Sequence, residues 1–251
     1  MTKKTFLAGT ALALLLAMPA QAFDPAAMTD AERDAFGAQV RAYLMENPEV
    51  LMEAIAVLEQ RQQDDSAQAD LALMAENKEA IFNDGVSWVG GNPDGDITMV
   101  EFIDYRCGYC RKSYEETEEL VKTDGNIRFV VKEFPILGEG SMISSQFAIA
   151  VKQVAGDAAY KKAHDALITL RGDATPEAMA ALATELGLDS AEILAKMDTP
   201  EVMAVIQANH DLGTTLQING TPSFIIDQTM VRGYVPLDAM RQIVEGQRKD
   251  G

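Results

Sequence analysis

Two cysteines stand where an apolar strand runs straight into a helix, and this stretch constrains the fold more than any other. The sequence from Ile97 to Lys112 reads ITMVEFIDYRCGYCRK and contains Cys107 and Cys110, the only cysteines of the chain. A C-x-x-C pair after such a strand is typical of reversible thiol–disulfide chemistry. A disulfide that closes so small a loop adds little stability through loop entropy, so chemistry explains the pair better than cross-linking does.

The elements predicted around this pair make a mixed α/β domain with helices on both faces of its sheet. A strand–helix–strand unit implies a parallel pair with a right-handed crossover, and a short link makes the last two strands a hairpin. The predicted order is strand 97–105, helix 113–122, strand 127–134, a helical block at about 138–217, strands 224–227 and 230–234, and a helix over 239–247. Because the block is too long for a loop, we expect a helical subdomain inside a domain that covers residues 91–251.

The first 22 residues have the pattern of a cleaved signal peptide. Lys3 and Lys4 precede an apolar run over residues 6–18, and Ala20-Gln21-Ala22 is a small-x-small site, so cleavage is expected after Ala22. The alternative is an uncleaved anchor. The pattern predicts an exported protein, located in the periplasm if the source is a Gram-negative bacterium.

Residues 23–90 form a predicted helical extension, and the turn residues at 90–96 separate it from the main domain. Apolar residues recur in it at helical spacing, and Asn47-Pro48-Glu49 restarts a helix. Thin helices cannot bury an apolar face alone. We therefore expect residues 23–85 to associate with copies of themselves; the alternative is an arm docked on the main domain.

Charge argues against nucleic acid as a partner. The chain has 39 acidic and 21 basic residues and a net charge of −18, whereas phosphate binding requires a basic face. Beyond the N-terminal apolar run, no segment approaches the roughly 20 apolar residues of a membrane-spanning helix.

The position of the cysteines predicts which of them attacks. Cys107 faces the unpaired N–H groups and the positive dipole at the start of the helix, so its pKa is expected below the free value of about 8.5. Arg106, Arg111 and Lys112 add positive charge nearby. Cys110 lies one turn further on, close enough to form a disulfide with Cys107 and to resolve a mixed disulfide.

Metal, haem and purely structural roles for the cysteines are weaker alternatives. A zinc or iron–sulfur site usually needs four ligands, and the two histidines, His164 and His210, are not spaced as a ligand pair. Attachment of haem requires a histidine after the second cysteine, where Arg111 stands. We therefore predict neither a metal nor a cofactor, and we expect both histidines to be solvated or core residues.

Glu101 lies six residues before Cys107, inside the predicted buried strand. A buried carboxylate is costly, its pKa is raised, and it can relay a proton to or from Cys110 through water. The alternative is a glutamate at the edge of the strand that reaches solvent.

At the motifs CGYC and GTPSF, with Glu101 upstream, the chain resembles the DsbA-like family of thioredoxin-fold proteins. The resemblance covers about residues 93–247 and implies a thioredoxin fold with a helical insertion. It implies that Cys107 is the nucleophile, Cys110 the resolving thiol of a redox-active disulfide, and Glu101 the buried acid. Pro222 is then a cis-proline that faces the disulfide, and the backbone of Thr221 binds an extended substrate.

Three features of the sequence resemble those of disulfide isomerases and oligomeric relatives more than those of the oxidases of this family. The dipeptide Gly108-Tyr109 and the threonine at 221 resemble those of DsbC-type isomerases. The segment Tyr43–Ile55 (YLMENPEVLMEAI) is similar to the oligomerising segment of ScsC proteins, a family associated with suppression of copper sensitivity.

These resemblances imply a periplasmic thiol–disulfide oxidoreductase that acts on exported proteins, as an isomerase or reductase. A membrane thiol reductase or oxidase is the expected redox partner. Two alternatives stay open: a DsbA-type dithiol oxidase, and a surface or copper-sequestering binding protein on a thioredoxin scaffold.

Overall fold

The computed structural model describes residues 27–250, so the predicted signal peptide and its cleavage site lie outside the described residues. The helices are α1 Asp30–Glu46, α2 Glu49–Glu76, α3 Lys78–Phe82, α4 Gly108–Asp124, α5 Glu139–Ala155, α6 Asp157–Thr169, α7 Pro176–Glu185, α8 Ser190–Met197, α9 Pro200–Thr215 and α10 Leu237–Asp250. The strands are β1 Trp88–Gly91, β2 Ile97–Ile103, β3 Ile127–Glu133, β4 Ser223–Ile226 and β5 Thr229–Arg232. In the described part of the chain, every helix is too short or too polar to cross a membrane.

The described chain divides into two compact units, with the boundary between Gln60 and Arg61. In the first unit, Thr29 and Glu32 cap α1 reciprocally: the Glu32 N–H donates to the Thr29 hydroxyl, and the Thr29 N–H donates to the Glu32 carboxylate. Asn47 ends α1, and α2 starts directly after Pro48. No residue of α1 is buried. Large apolar side chains of this unit are exposed: Phe36, Val40, Tyr43, Met45, Leu51, Met52, Ile55, Val57 and Leu58.

The tract over residues 60–70 is almost wholly polar, and it is helical. Helix α2 runs through it without interruption. Near the end of α2, Asp70 accepts two hydrogen bonds of 2.7 Å from the Arg232 guanidinium on β5, and Met74 is buried. The end of α2 therefore belongs to the core of the second unit.

The second unit is built on one five-stranded sheet with the order β1-β3-β2-β4-β5. Strands β2 and β3 are parallel, and α4 connects them, as the sequence predicts. Strands β4 and β5 form the predicted antiparallel hairpin, with β4 antiparallel to β2. Helices α5 to α9 form the predicted helical insertion between β3 and β4. The thioredoxin-type α/β architecture expected from the sequence is thus present.

Strand β1 was not predicted from the sequence, which reads as a turn from residue 90 onward. Trp88–Gly91 pairs antiparallel with β3 at the edge of the sheet. Two of its four residues are glycines because contacts leave no room for a side chain: a Cβ at Gly90 would lie 2.0 Å from the Trp88 ring, and a Cβ at Gly91 would lie 2.3 Å from the Ile127 carbonyl oxygen. The glycines that indicate a turn therefore serve close packing of an edge strand.

The two faces of the sheet have separate cores. On one face Met99, Ile103 and Val131 pack under α4 and the helical insertion. On the other, Val100 and Phe102 pack against residues of α2, α3 and α9, namely Met74, Ile81 and Leu212. Because side chains alternate along a strand, Glu101 on β2 and Glu133 on β3 point to the first face, toward α4.

Candidate active site at the start of helix α4

Cys107 is the N-cap residue of α4, with an extended backbone (φ −73°, ψ 121°). Its carbonyl oxygen accepts a hydrogen bond of 3.1 Å from the Arg111 N–H, and its own N–H donates to the Asp104 carbonyl oxygen at 3.0 Å. The side chain is 7% exposed. The sulfur therefore stands at the unpaired N–H groups of the first helical turn, in a largely buried position.

Asp104 fixes the loop that presents Cys107, and the sequence did not single it out. Its buried carboxylate accepts four hydrogen bonds of 2.8–3.0 Å, from the N–H groups of Arg106, Ile136 and Leu137 and from the Ser141 hydroxyl. These donors come from the loop before α4, the loop after β3 and helix α5. One carboxylate thus ties the cysteine loop to the helical insertion, and only the fold brings its partners together.

The environment of Cys107 favours the thiolate. A hydrogen bond with the Cys110 side chain contributes most, followed by the Thr221 side chain and the N–H groups of Cys110 and Tyr109, and together they lower the pKa of Cys107 to about 5 against the opposing effect of burial. Each of these bonds stabilises a negative sulfur at a helix start. At neutral pH, Cys107 is therefore a thiolate, the nucleophilic form of cysteine.

Cys110 has the opposite environment. It is fully buried, and desolvation, its hydrogen bond to Cys107 and the nearby Glu101 carboxylate all raise its pKa. No disulfide joins the two cysteines. The pair therefore has one sulfur that favours the ionised form and one protonated, fully enclosed sulfur.

The Thr221-Pro222 segment lies against Cys107 although 114 residues separate them in sequence. The Cys107 sulfur lies 3.1 Å from the Thr221 carbonyl oxygen, to which it donates when it is protonated, and the Thr221-Pro222 peptide bond is cis. The Pro222 carbonyl oxygen accepts from the Gly233 N–H at 2.9 Å, which ties the segment to the end of β5. The sequence motif CGYC and the GTPSF motif thus meet at a single place.

Glu101 lies in the central strand β2, between β3 and β4, and not at an edge open to solvent. It is 3% exposed, and its carboxyl group forms no hydrogen bond with any residue that the structure describes. Desolvation raises its pKa to about 8, with smaller contributions from Glu118, Cys107 and Glu133. At neutral pH this carboxyl group therefore holds a proton behind the cysteine pair.

A second buried carboxyl group, that of Glu133, lies two residues further along the neighbouring strand on the same face and was not singled out from the sequence. It accepts hydrogen bonds from the hydroxyl groups of Tyr105 (2.8 Å), Tyr160 (2.6 Å) and Ser145 (2.7 Å). Burial raises its pKa to about 7 against the effect of these bonds. Tyr105 also contacts Nδ1 of His164 at 3.1 Å, so this histidine is a core residue with a defined partner.

Tyr109, one of the two residues between the cysteines, makes an aromatic contact. The ring of Tyr109, which is 62% exposed, stacks on Tyr234 with 6.2 Å between centroids. The ammonium group of Lys112 lies 4.1 Å from the centre of the Tyr234 ring, and the Tyr234 hydroxyl donates to Glu116 at 2.9 Å. Tyr234 had no signal in the sequence, because its role depends on the position of the β5–α10 loop.

The two arginines near the cysteines donate to backbone carbonyl oxygens. Arg111 donates to the carbonyl oxygens of Tyr105 (2.9 Å) and Leu170 (2.7 Å), and Arg106 donates to that of Gly172 at 2.6 Å. Neither is among the main causes of the low Cys107 pKa. The thiolate is stabilised mainly by hydrogen bonds, and the arginines connect the loop to the helical insertion.

Two family profiles match different parts of this chain, one the sheet and its helices and the other the N-terminal helices. The profile of the family described as Thioredoxin matches residues 83–246, about two thirds of the chain. The profile described as the N-terminal domain of the copper resistance protein ScsC matches residues 32–64.

Solved structures agree with these matches. A thioredoxin-like oxidoreductase from Silicibacter pomeroyi is 40% identical, with a TM-score of 0.65 over 69% of this chain and 98% of that one. ScsC from Proteus mirabilis is 28% identical, with a TM-score of 0.65 over 91% of this chain and all of that one. Among curated proteins, the Na⁺/H⁺ antiporter NhaA of Herminiimonas arsenicoxydans is 24% identical over 165 residues. The match covers 65% of this chain, which spans only about a quarter (26%) of the length of that antiporter.

Proposed function

Because the chain belongs to the thioredoxin family, as a DsbA-like protein of the ScsC type, we propose that it catalyses thiol–disulfide exchange through Cys107 and Cys110. The observation that carries this proposal is the contrast between the two sulfurs. Cys107 is ionised at a helix start, while Cys110 is buried and protonated within hydrogen-bonding distance of it. A structural disulfide has no need of such a difference.

In the proposed reaction, the Cys107 thiolate attacks one sulfur of a substrate disulfide. A Cys107–substrate disulfide forms, the substrate S–S bond breaks, and one substrate sulfur leaves as a thiolate. Cys110 then loses its proton and attacks the sulfur of Cys107, which releases the second substrate sulfur. The substrate disulfide has been reduced to two thiols, and the protein has been oxidised to the Cys107–Cys110 disulfide.

Glu101 is the proposed proton acceptor for the second step. Cys110 cannot attack as a thiol, and its buried site disfavours the free thiolate. Glu101 is buried on the same face of the sheet, and its charge raises the pKa of Cys110, so the two groups are close enough to interact. With a pKa of about 8, about a tenth of the Glu101 carboxyl groups are ionised at pH 7, and this ionised form accepts the Cys110 proton, with water as the bridge.

Thr221, Pro222, Gly108 and Tyr109 are the proposed substrate-binding residues. The Thr221 carbonyl oxygen lies 3.1 Å from the Cys107 sulfur, where the backbone of an extended substrate strand must pass to present a disulfide. The exposed Tyr109 ring adds an apolar surface beside the same sulfur.

Isomerase or reductase activity is the proposed direction of the reaction. An isomerase must hold a misfolded chain while a thiolate attacks its wrong disulfides, and several sites around a shared space serve this purpose. The eight large exposed apolar side chains of residues 40–58 support self-association, because an apolar face of this kind requires a partner. The match of residues 32–64 to the ScsC N-terminal domain supports the same assignment.

Dithiol oxidase activity is the second proposal, and the Cys107 thiolate favours it. Hydrogen bonds that stabilise the thiolate stabilise the reduced form, so the disulfide form becomes a better oxidant. In either direction we propose disulfide-containing exported proteins as substrates and a membrane thiol reductase or oxidase as the redox partner. Periplasmic location remains a proposal that rests on the sequence pattern of residues 1–22.

Trapping a mixed disulfide tests the exchange reaction. With a scrambled disulfide substrate, Cys110→Ala is expected to accumulate a covalent adduct that dithiothreitol releases, because the resolving thiol is missing. Cys107→Ala is expected to form no adduct and to have no activity. If Cys107→Ala retained full function, the protein would instead belong to the class of binding modules.

The direction of the reaction is tested by self-association and activity together. Leu51→Gln, Ile55→Gln and Leu58→Gln in one protein remove exposed apolar side chains from α2; Gln62→Ala with Gln63→Ala is the matched control on the same helix. We expect the triple variant to lower the solution mass and the isomerisation of scrambled ribonuclease, with simple disulfide reduction unchanged. Equal isomerisation by the triple variant and the control would contradict the role of the N-terminal helices.

A further inference from the structure

Three side chains of metal-binding type meet between α4 and α6, about two turns along α4 from the cysteines. One ring nitrogen of His164 and one carboxylate oxygen each of Glu118 and Asp165 lie within 4.8 Å of one another. Glu118 lies on α4, and the other two lie on α6, so 46 residues separate them in the sequence and only the packing of the two helices joins them. This site was not predicted from the sequence, because Glu118 is far from His164 and Asp165 along the chain.

A contact with Tyr105 fixes the ring of His164. The Tyr105 hydroxyl donates to Glu133 at 2.8 Å, so its oxygen is left to accept from the N–H at Nδ1 of His164, 3.1 Å away. This arrangement assigns the proton of the neutral ring to Nδ1 and leaves the other nitrogen with a free electron pair. Metal-binding histidines characteristically donate their second ring nitrogen to such an outer acceptor, which fixes the tautomer.

The carboxylates of Glu118 and Asp165 form ion pairs with the ammonium group of Lys161. The Lys161 ammonium group lies 3.1 Å from Glu118 and 2.5 Å from Asp165, and the Tyr114 hydroxyl donates to Asp165 at 2.6 Å. The side chains of Glu118 and Asp165 are 35% and 39% exposed, so an ion can reach them from solvent. In the described residues no hydrogen bond joins His164 to either carboxylate. The three ligand groups therefore face a position that Lys161 neutralises from one side.

We propose that His164, Glu118 and Asp165 bind a borderline divalent cation of the Zn²⁺ class, with Lys161 displaced toward solvent. One imidazole and two carboxylates with an open fourth position are a ligand set that zinc accepts. Zinc bonds of about 2.0–2.1 Å require ligand atoms roughly 3.3 Å apart, so the present separations need to close by at most about 1.5 Å. Rotation of the two half-exposed carboxylates is sufficient for such a change.

The test measures zinc binding by the full mature chain in which both cysteines are serine, so that the thiols contribute nothing and the result is independent of the proposed exchange reaction. Isothermal titration with ZnCl₂ at neutral pH is expected to give one site per chain. Glu118→Gln, on the half-exposed side, is expected to weaken binding at least tenfold, and His164→Gln to abolish it. Lys161→Met is expected to tighten binding several-fold because the competing cation is gone.

Glu115→Gln, an exposed glutamate on the same helix, is the matched control and is expected to bind zinc as the parent does. Circular dichroism shows whether each variant is folded. If His164→Gln does not fold, Glu118→Gln still tests the proposal. Absence of zinc binding at millimolar concentration, or equal binding by the parent and Glu118→Gln, would overturn the proposal. Weaker binding by Lys161→Met would also contradict the assignment of Lys161 as a competitor.

Discussion

Replacement of Glu101 by glutamine is expected to stabilise the reduced protein, by an amount that depends on pH. The carboxyl group is buried without a hydrogen-bond partner in the described residues, and its pKa rises from 4.5 to about 8 on folding. A raised pKa means that the folded state binds the proton more tightly. The stability linked to this proton is fully present below pH 4.5 and is lost as the pH rises toward 8.

The magnitude follows from the two pKa values. At pH 7 the carboxyl group of Glu101 is ionised in the unfolded chain and protonated in the folded one, so folding takes up a proton. This pH lies 2.5 units above the unfolded pKa of 4.5. Each unit corresponds to about 1.4 kcal/mol, so the cost is about 3 kcal/mol at pH 7 and about 5 kcal/mol above pH 8. Glutamine has the shape of the protonated group and carries no such cost.

Urea unfolding of reduced Glu101→Gln and the parent at pH 4, 7 and 9 measures this difference. The expected gain in free energy of unfolding is near zero at pH 4 and about 3 kcal/mol at pH 7. Glu115→Gln, an exposed glutamate on α4, is the control and should change little at any pH. A gain that does not depend on pH, or a loss at pH 7, would refute the assignment of Glu101 as a buried neutral acid. The same variant should slow the attack of Cys110 about 10²-fold if Glu101 accepts its proton.

Three further changes probe separate contacts. Cys110→Ala removes the strongest hydrogen bond to the Cys107 thiolate and should raise the Cys107 pKa from about 5 to between about 6 and 7, measured by thiolate absorbance near 240 nm. Asp84→Asn leaves the ammonium group of Lys132, which is 1% exposed, without its partner at 2.7 Å and should lower the free energy of unfolding by about 3 kcal/mol in urea; an unchanged midpoint would contradict this. Tyr234→Phe loses one hydrogen bond but keeps its ring stack, so stability should fall by about 1 kcal/mol while the pH profile of thiolate absorbance stays as in the parent.

The central strands and the helix start could be predicted because their signals are local. The run from Ile97 is apolar on both faces, and the link between the last two strands permits only a hairpin. Cys107 lies at the predicted junction because the strand ends and the helix begins within a few residues. Strand β1 could not be predicted in this way, since Gly90 and Gly91 indicate a turn unless the positions of Trp88 and Ile127 are known.

The parts of the site that escaped sequence reasoning are those whose partners are far away in the chain. Three of the four donors to Asp104 are more than 30 residues away, and Glu133 accepts from hydroxyl groups of three different elements. His164 has a partner in Tyr105, 59 residues earlier. Each residue alone is unremarkable in sequence; its role follows from the packing of the helical insertion on the sheet.

The redox equilibrium of the Cys107–Cys110 pair with a glutathione buffer tests the central claim most directly. The reduced and oxidised forms can be counted by mass after acid quenching and alkylation. A thiol–disulfide exchange site with a stabilised thiolate should give a reversible two-electron couple above roughly −230 mV, and Cys107→Ser should eliminate it. A couple below about −300 mV would mark a structural disulfide, and glutathione adducts without an intramolecular disulfide would show that the two cysteines do not act as a pair.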